Sequence, residues 1–182
     1  MSRKLDFSRP IFVIQYCNDC KNHMWNTRHD AEKYASFADN LAYFIKKRVP
    51  EATILFNQIP KRWQDKEIYF NLVWNDDENN DVFDVTPKIG AFEVSTVAYG
   101  EISAEKRTTK KGKKKAKQVT KIPVEETLLI YSKLSAKMWP LINKLGEKIV
   151  NYCKEISVAQ QIGRSIRQIV QNYYFDNAKM SR

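Results

Sequence analysis

The sequence predicts an α/β fold: a mixed sheet of four strands, or five if residues 68–74 join it, two core helices, an extended basic β-hairpin and an extra C-terminal helix. Three observations predict it. A strand pattern, Ile11-Phe12-Val13-Ile14-Gln15-Tyr16, runs directly into a cysteine pair and then into a long helical pattern. Short branched and aromatic runs separated by turn residues occupy the middle of the chain, and helical periodicity returns in its last third. Two strand patterns, 92–99 and 128–131, flank a lysine-dense window centred on Gly112, as the arms of a hairpin flank its tip.

The elements follow in order. Over 28–48, Ala31, Tyr34, Ala35, Ala38, Leu41, Ala42 and Ile45 recur at spacings of three and four, with Pro50 just beyond, so one amphipathic helix is expected. Thr53 to Phe56 is a short buried strand and Ile68 to Trp74 a stronger one, and the acidic stretch from Asp76 to Asp81 is a turn. Thr86-Pro87 opens the next element, a long strand from Gly90 to Tyr99. Leu128 to Tyr131 is the fourth core strand, and Trp139-Pro140 precedes a helix from about Leu141 to Tyr152. From Lys154 to Tyr174, the residues Ile156, Ala159, Ile162, Ile166, Ile169 or Val170, and Tyr173 form one apolar stripe, so a helix there docks on the body or on a partner. Trp63, Tyr69, Phe70, Trp74 and Trp139 are expected mostly in the core, since the sequence gives no sign that they interleave with Arg or Lys on one exposed sheet face, as a base-stacking platform requires. The chain therefore divides into a domain over 1–153, with insertions at 59–85 and 101–122, and a C-terminal docking helix and tail over 154–182.

Composition sets the boundaries. A length of 182 residues suits one domain, and 43% hydrophobic residues with 12% aromatics exclude wholesale disorder. The longest apolar run falls short of the ~20 residues of a membrane span. Met1 to Asp6 has neither a signal-peptide core nor the look of a transit peptide, and Ala178 to Arg182 has no prenylatable cysteine. Three cysteines without framework spacing suit a reducing compartment, so the cytoplasm, or a cytoskeletal or ciliary structure within it, is the expected location.

The net charge of +10 is uneven. Lys106, Arg107, Lys110, Lys111, Lys113, Lys114, Lys115 and Lys117 form a basic window with no acid, and without these eight the charge of +10 falls to +2. The basicity is thus an appended arm on a nearly neutral body. Lysine offers point charges without the planar fork of arginine, so no DNA sequence recognition is expected. A phosphate backbone, an anionic surface or acidic protein tails all fit. We expect a partner to hold this arm, because residues 76–84 carry too few acids to neutralise it within the chain.

The chemistry-bearing motif is Cys17-Asn18-Asp19-Cys20. Between a buried strand and a helix start, C-x-x-C is the arrangement that thioredoxin-like proteins use for dithiol–disulfide exchange. The helix N-terminus offers N–H groups and positive potential to a thiolate, which favours the first cysteine as nucleophile. Asp19 opposes this with a negative charge beside the thiols. The alternatives are a reduced pair kept for packing and a zinc site from Cys17, Cys20, His23 and His29. Zinc is not expected, because the two ligand pairs lie much closer together than the ~12 residues that separate those of a zinc finger. Cys153, in a helical stretch, reads as a small buried hydrophobe.

Three pieces of the chain resemble the selenoprotein W family, the Rdx group of thioredoxin-like proteins. They are Val13 to Cys20, similar to the family's strand, tyrosine and C-x-x-C; Thr86-Pro87-Lys88-Ile89-Gly90-Ala91-Phe92-Glu93-Val94, similar to its T-P-x-x-G-x-F-E-V strand; and Leu129-Ile130-Tyr131-Ser132-Lys133-Leu134 with Trp139-Pro140, similar to its final strand, S-K-L turn and last helix. The resemblance implies a thioredoxin-like sheet and thiol–disulfide chemistry without a cofactor. Residues 59–85, the hairpin tip 101–122 and the helix after Lys154 depart from the family. These additions make a structural or adaptor subunit of a large cytoplasmic assembly the first expectation, an axonemal microtubule or a ribonucleoprotein being the hosts, with partners met through the basic hairpin and the C-terminal helix. The second is a thiol–disulfide oxidoreductase in which Cys17 attacks and Cys20 resolves. The sequence leaves open whether the chain is an enzyme.

Overall fold

In a computed structural model, the described residues are 4–18, 30–65, 72–73, 80–107, 117–162 and 165–174, with the backbone alone at 72–73, 100–107 and 117–124. Strand β1 (Ile11–Tyr16) is central, and its continuous apolar run is buried on both faces. Helix α1 (Ala31–Arg48) follows, then β2 (Thr53–Phe56), which lies parallel to β1 with Ile11 opposite Thr53. Strand β3 (Gln58–Pro60) and a 3-10 turn at Lys61–Trp63 lead to β4 (Leu72–Val73) and β5 (Val82–Val85). The long strands β6 (Phe92–Arg107) and β7 (Lys117–Ser132) pair antiparallel from Glu93 opposite Ser132 out to Arg107 opposite Lys117. Helices α2 (Lys133–Ala136), α3 (Ile142–Gln161) and α4 (Arg167–Tyr173) complete the described chain.

The result is an α/β protein with a mixed four-stranded sheet of order β2-β1-β6-β7 and a second, three-stranded sheet of order β3-β5-β4. Alternation along β1 divides the core. Phe12 and Ile14 face a layer of helices, where they cluster with Leu41, Ile45, Leu128, Ile149, Ile166 and Val170. Ile11 and Val13 face the second sheet, clustering with Leu55, Ile59, Trp63, Phe83 and Val97. The main sheet is therefore covered on both faces. No helix among the described residues is long and apolar enough to cross a membrane.

Several expected elements are redrawn. Residues 72–73 belong to the second sheet and add no fifth strand to the main one; 66–71 and 74–79 lie outside the described residues. The acidic stretch read as a turn from Asp76 to Asp81 is followed at once by β5, a strand not expected there, whose Val82, Phe83 and Val85 are buried. Two acids bond within the chain here: Asp81 accepts from the Leu5 N–H at 2.9 Å, and Asp84 from Gln58 Nε2 at 2.9 Å. The helical boundary expected at 153/154 falls inside α3, which carries no breaker there and runs on to Gln161. The apolar stripe beyond it closes onto the chain's own core through Ile166 and Val170.

Candidate functional site

Cys17 lies immediately beyond β1, 2% exposed, with its N–H donating to the Ala91 carbonyl at 2.9 Å. Two neighbours fix this corner. Asn57, at φ 48°, accepts from the Tyr16 N–H through Oδ1 at 2.8 Å and donates from Nδ2 to the Tyr16 carbonyl at 3.0 Å. Its own N–H donates to Ile14 O, and its carbonyl accepts from Val85 N–H, so one residue ties β1 to both sheets. On the other side, residues 88–91 form a turn, with the Ala91 N–H donating to Lys88 O at 2.9 Å. Gly90 takes φ 77° there, a conformation glycine adopts without strain.

Lys133, from the segment after β7, reaches over this turn. Its ammonium donates to Tyr34 Oη at 2.8 Å and to the Gly90 carbonyl at 3.2 Å, and Tyr34 Oη donates to the same carbonyl at 3.3 Å. The ammonium also lies 4.9 Å from the Trp139 ring centroid, and Trp139 packs at 4.5 Å on Phe37 and 4.6 Å on Tyr34. Tyr34, Lys133 and Trp139 are site neighbours that the motif reading did not single out. Their signal was in the sequence, Tyr34 in the spacing of the first helix and Lys133 and Trp139 in the S-K-L and Trp-Pro pieces, without an indication that they meet the turn before β6.

Of the four positions weighed for thiol or zinc chemistry, Cys17 is described; Cys20, His23 and His29 lie outside the described residues. The helix expected to start beside the cysteines opens, as described, at Ala31. Its first amides are taken by the cap: Asp30 Oδ1 accepts from Glu32 N–H at 3.0 Å and Lys33 N–H at 3.3 Å. These donors serve a carboxylate instead of a thiolate. Cys153, half-buried beside Glu51, has its thiol pushed up to about 12 by burial first and by the Glu51 charge second, which leaves it protonated and unreactive at neutral pH.

The second candidate is the hairpin. Pairing of β1 with β6 runs from Tyr16–Phe92 to Phe12–Thr96, whereas β6 and β7 stay paired to Arg107–Lys117. Among the described residues, the outer part is thus a two-stranded ribbon continuing past the sheet. Lys106, Arg107 and Lys117 stand at its far end by register; Lys110, Lys111, Lys113, Lys114 and Lys115 lie outside the described residues. At the ribbon's base, Arg62 pairs with Glu125 and Trp63 Nε1–H donates to Tyr99 Oη, while on the other face Arg167 Nε meets Glu126 Oε1 at 2.9 Å.

In comparisons with family models, with curated proteins and with solved structures, no match to the chain was found.

Proposed function

We propose that the chain is a selenoprotein W-like, thioredoxin-fold subunit that acts as a structural or adaptor component of a large cytoplasmic assembly, its basic hairpin binding an acidic surface. The sheet order β2-β1-β6-β7, with β2 parallel and β6 antiparallel to β1, supports the fold assignment. One observation carries the functional reading. Of the three additions, residues 59–85 contribute Ile59, Trp63, Phe83 and Val85 to the chain's own core, and the C-terminal segment contributes Ile166 and Val170. The hairpin instead runs beyond the four-stranded sheet, with Lys106, Arg107 and Lys117 at its far end by register and five more lysines between them in the sequence. An axonemal microtubule, with acidic protein surfaces, or a ribonucleoprotein is the proposed host.

Titration of the purified chain with polyglutamate and with a short RNA duplex tests this. Binding through six or more of these charges should weaken by roughly a thousandfold between about 50 and 200 mM salt. Neutralising Lys113, Lys114 and Lys115 together should release the chain from its assembly, while Cys17→Ser with Cys20→Ser should leave it attached. Attachment lost with the cysteines and kept without the lysines would reject the adaptor reading.

The alternative, a thiol–disulfide oxidoreductase with Cys17 attacking and Cys20 resolving, is favoured by the position of Cys17 directly after β1. The burial of Cys17 counts against it, because an attacking thiolate needs access to its target disulfide. Turnover of a small disulfide that is lost with Cys17→Ser would establish it.

A further inference from the structure

We infer that the three appended segments form one device: a two-sided clamp that fixes the direction of the ribbon. A two-stranded ribbon by itself is marginal in water, and β1 stops supporting β6 at Thr96. The clamp sits at the next pairs outward, Ala98–Glu126 and Tyr99–Glu125. Glu125 and Glu126 are consecutive on β7 and project to opposite faces.

On one face, the 3-10 turn of residues 59–85 supplies Arg62 to the Glu125 carboxylate, and the same guanidinium lies over the Tyr99 ring at 5.1 Å and the Phe7 ring at 5.4 Å. Trp63, fully buried, donates to Tyr99 Oη. On the other face, α4 supplies Arg167 to Glu126, and α3 supplies Gln160, whose Nε2 donates to the Tyr99 carbonyl at 2.7 Å. Each ion pair is partly exposed and weak alone. Opposed across one strand, with the tyrosine pinned between them, the pairs resist tilting of the ribbon in either direction. Arg62 and Arg167 are thus positioning residues. They hold the arm ready, so that binding need not order it first.

This inference rests on the adaptor reading only for its binding arm; the orientation arm stands apart. Backbone 15N order parameters at Ser103 and Lys121 should be about 0.85 in the full chain and fall towards about 0.6 in Arg62→Ala/Arg167→Ala. The charge-swapped Arg62→Glu/Glu125→Arg, with Arg167 in place, should keep them near the value of the full chain. The double variant should bind polyglutamate about tenfold more weakly, whereas Lys144→Ala/Lys154→Ala, which removes the same charge elsewhere, should not. A ribbon already mobile in the full chain, a ribbon equally rigid in the double variant, or an equal loss in the charge-matched control would overturn the clamp. Order parameters that behave as stated, with no polyanion binding at all, would uphold the clamp and reject the adaptor reading.

Discussion

Asn57 shows how much one residue decides. Its positive φ turns the chain out of β2 and into β3, and its side-chain amide satisfies both backbone groups of Tyr16, the residue before Cys17. Asn57→Ala loses two hydrogen bonds of about 1 kcal/mol each and adds a left-handed strain of about 1 kcal/mol. Asn57→Gly loses the same bonds without the strain, so urea unfolding should find it the milder variant by about 1 kcal/mol. Cys153 makes a prediction for alkaline solution. Between the thiol's ordinary value of 9.0 and about 12, the native state keeps a proton that the unfolded state has released. Stability therefore falls as pH rises through that window. Burial pushes the Tyr131 phenol up to about 12 as well, which steepens the fall above its ordinary value of 10.0. Unfolding midpoints should decline from about pH 9 upward, and Cys153→Ala should flatten the curve below about pH 10.

Between elements, α3 packs tightly on α1 at Gly146. Gly146 is buried in α3, and a Cβ built there would lie 2.2 Å from Phe44 Cδ1 and 2.8 Å from Phe44 Cγ. The Phe44 ring is held from outside by Arg48, whose guanidinium sits 3.8 Å from its centroid. Gly146→Ala gains about 1 kcal/mol of helix propensity but forces that ring or the helix aside, an overpacking cost of about 1–3 kcal/mol. We expect net destabilisation by chemical denaturation, reversed when Phe44→Leu is added. A stabilised single variant would show that the two helices separate freely.

For the whole molecule, the second sheet converts a two-layer α/β arrangement into three layers. Trp63 is its anchor: fully buried, in the cluster with Ile11, Val13 and Phe83, and bonded to Tyr99 at the ribbon's base. Trp63→Ala should cost about 3–5 kcal/mol. It should also raise hydrogen exchange at Val82 to Val85 before it does so at Phe12 to Ile14, because the cluster beneath the second sheet loses its Trp63 side chain while the helical layer is untouched. Uniform exchange across both sheets would mean that the three layers unfold as one unit.

Local pattern by itself determined much of the main sheet and its helices. The unbroken apolar run of β1, the three-and-four spacing of α1 and the two strands flanking the lysines each carry a period that holds whatever lies around them. It also placed Cys17 at the end of a strand, and Lys106, Arg107 and Lys117 at the far end of the described ribbon. It did not reveal β3 or β5, since three or four residues are too few to establish alternation, and Asp81 and Asp84 beside and within β5 disguise a strand whose Val82, Phe83 and Val85 are buried. Tertiary structure alone decided that residues 59–63 and 82–85 cover the sheet's second face, and that Ile166 and Val170 turn inward. An apolar stripe states that it will be buried, not against what. The meeting of Arg62, Arg167, Glu125 and Glu126 at the ribbon's base belongs to the same class. Each arginine is far from its glutamate in the chain, and only the tertiary packing of the 3-10 turn and of α4 against β7 brings them together.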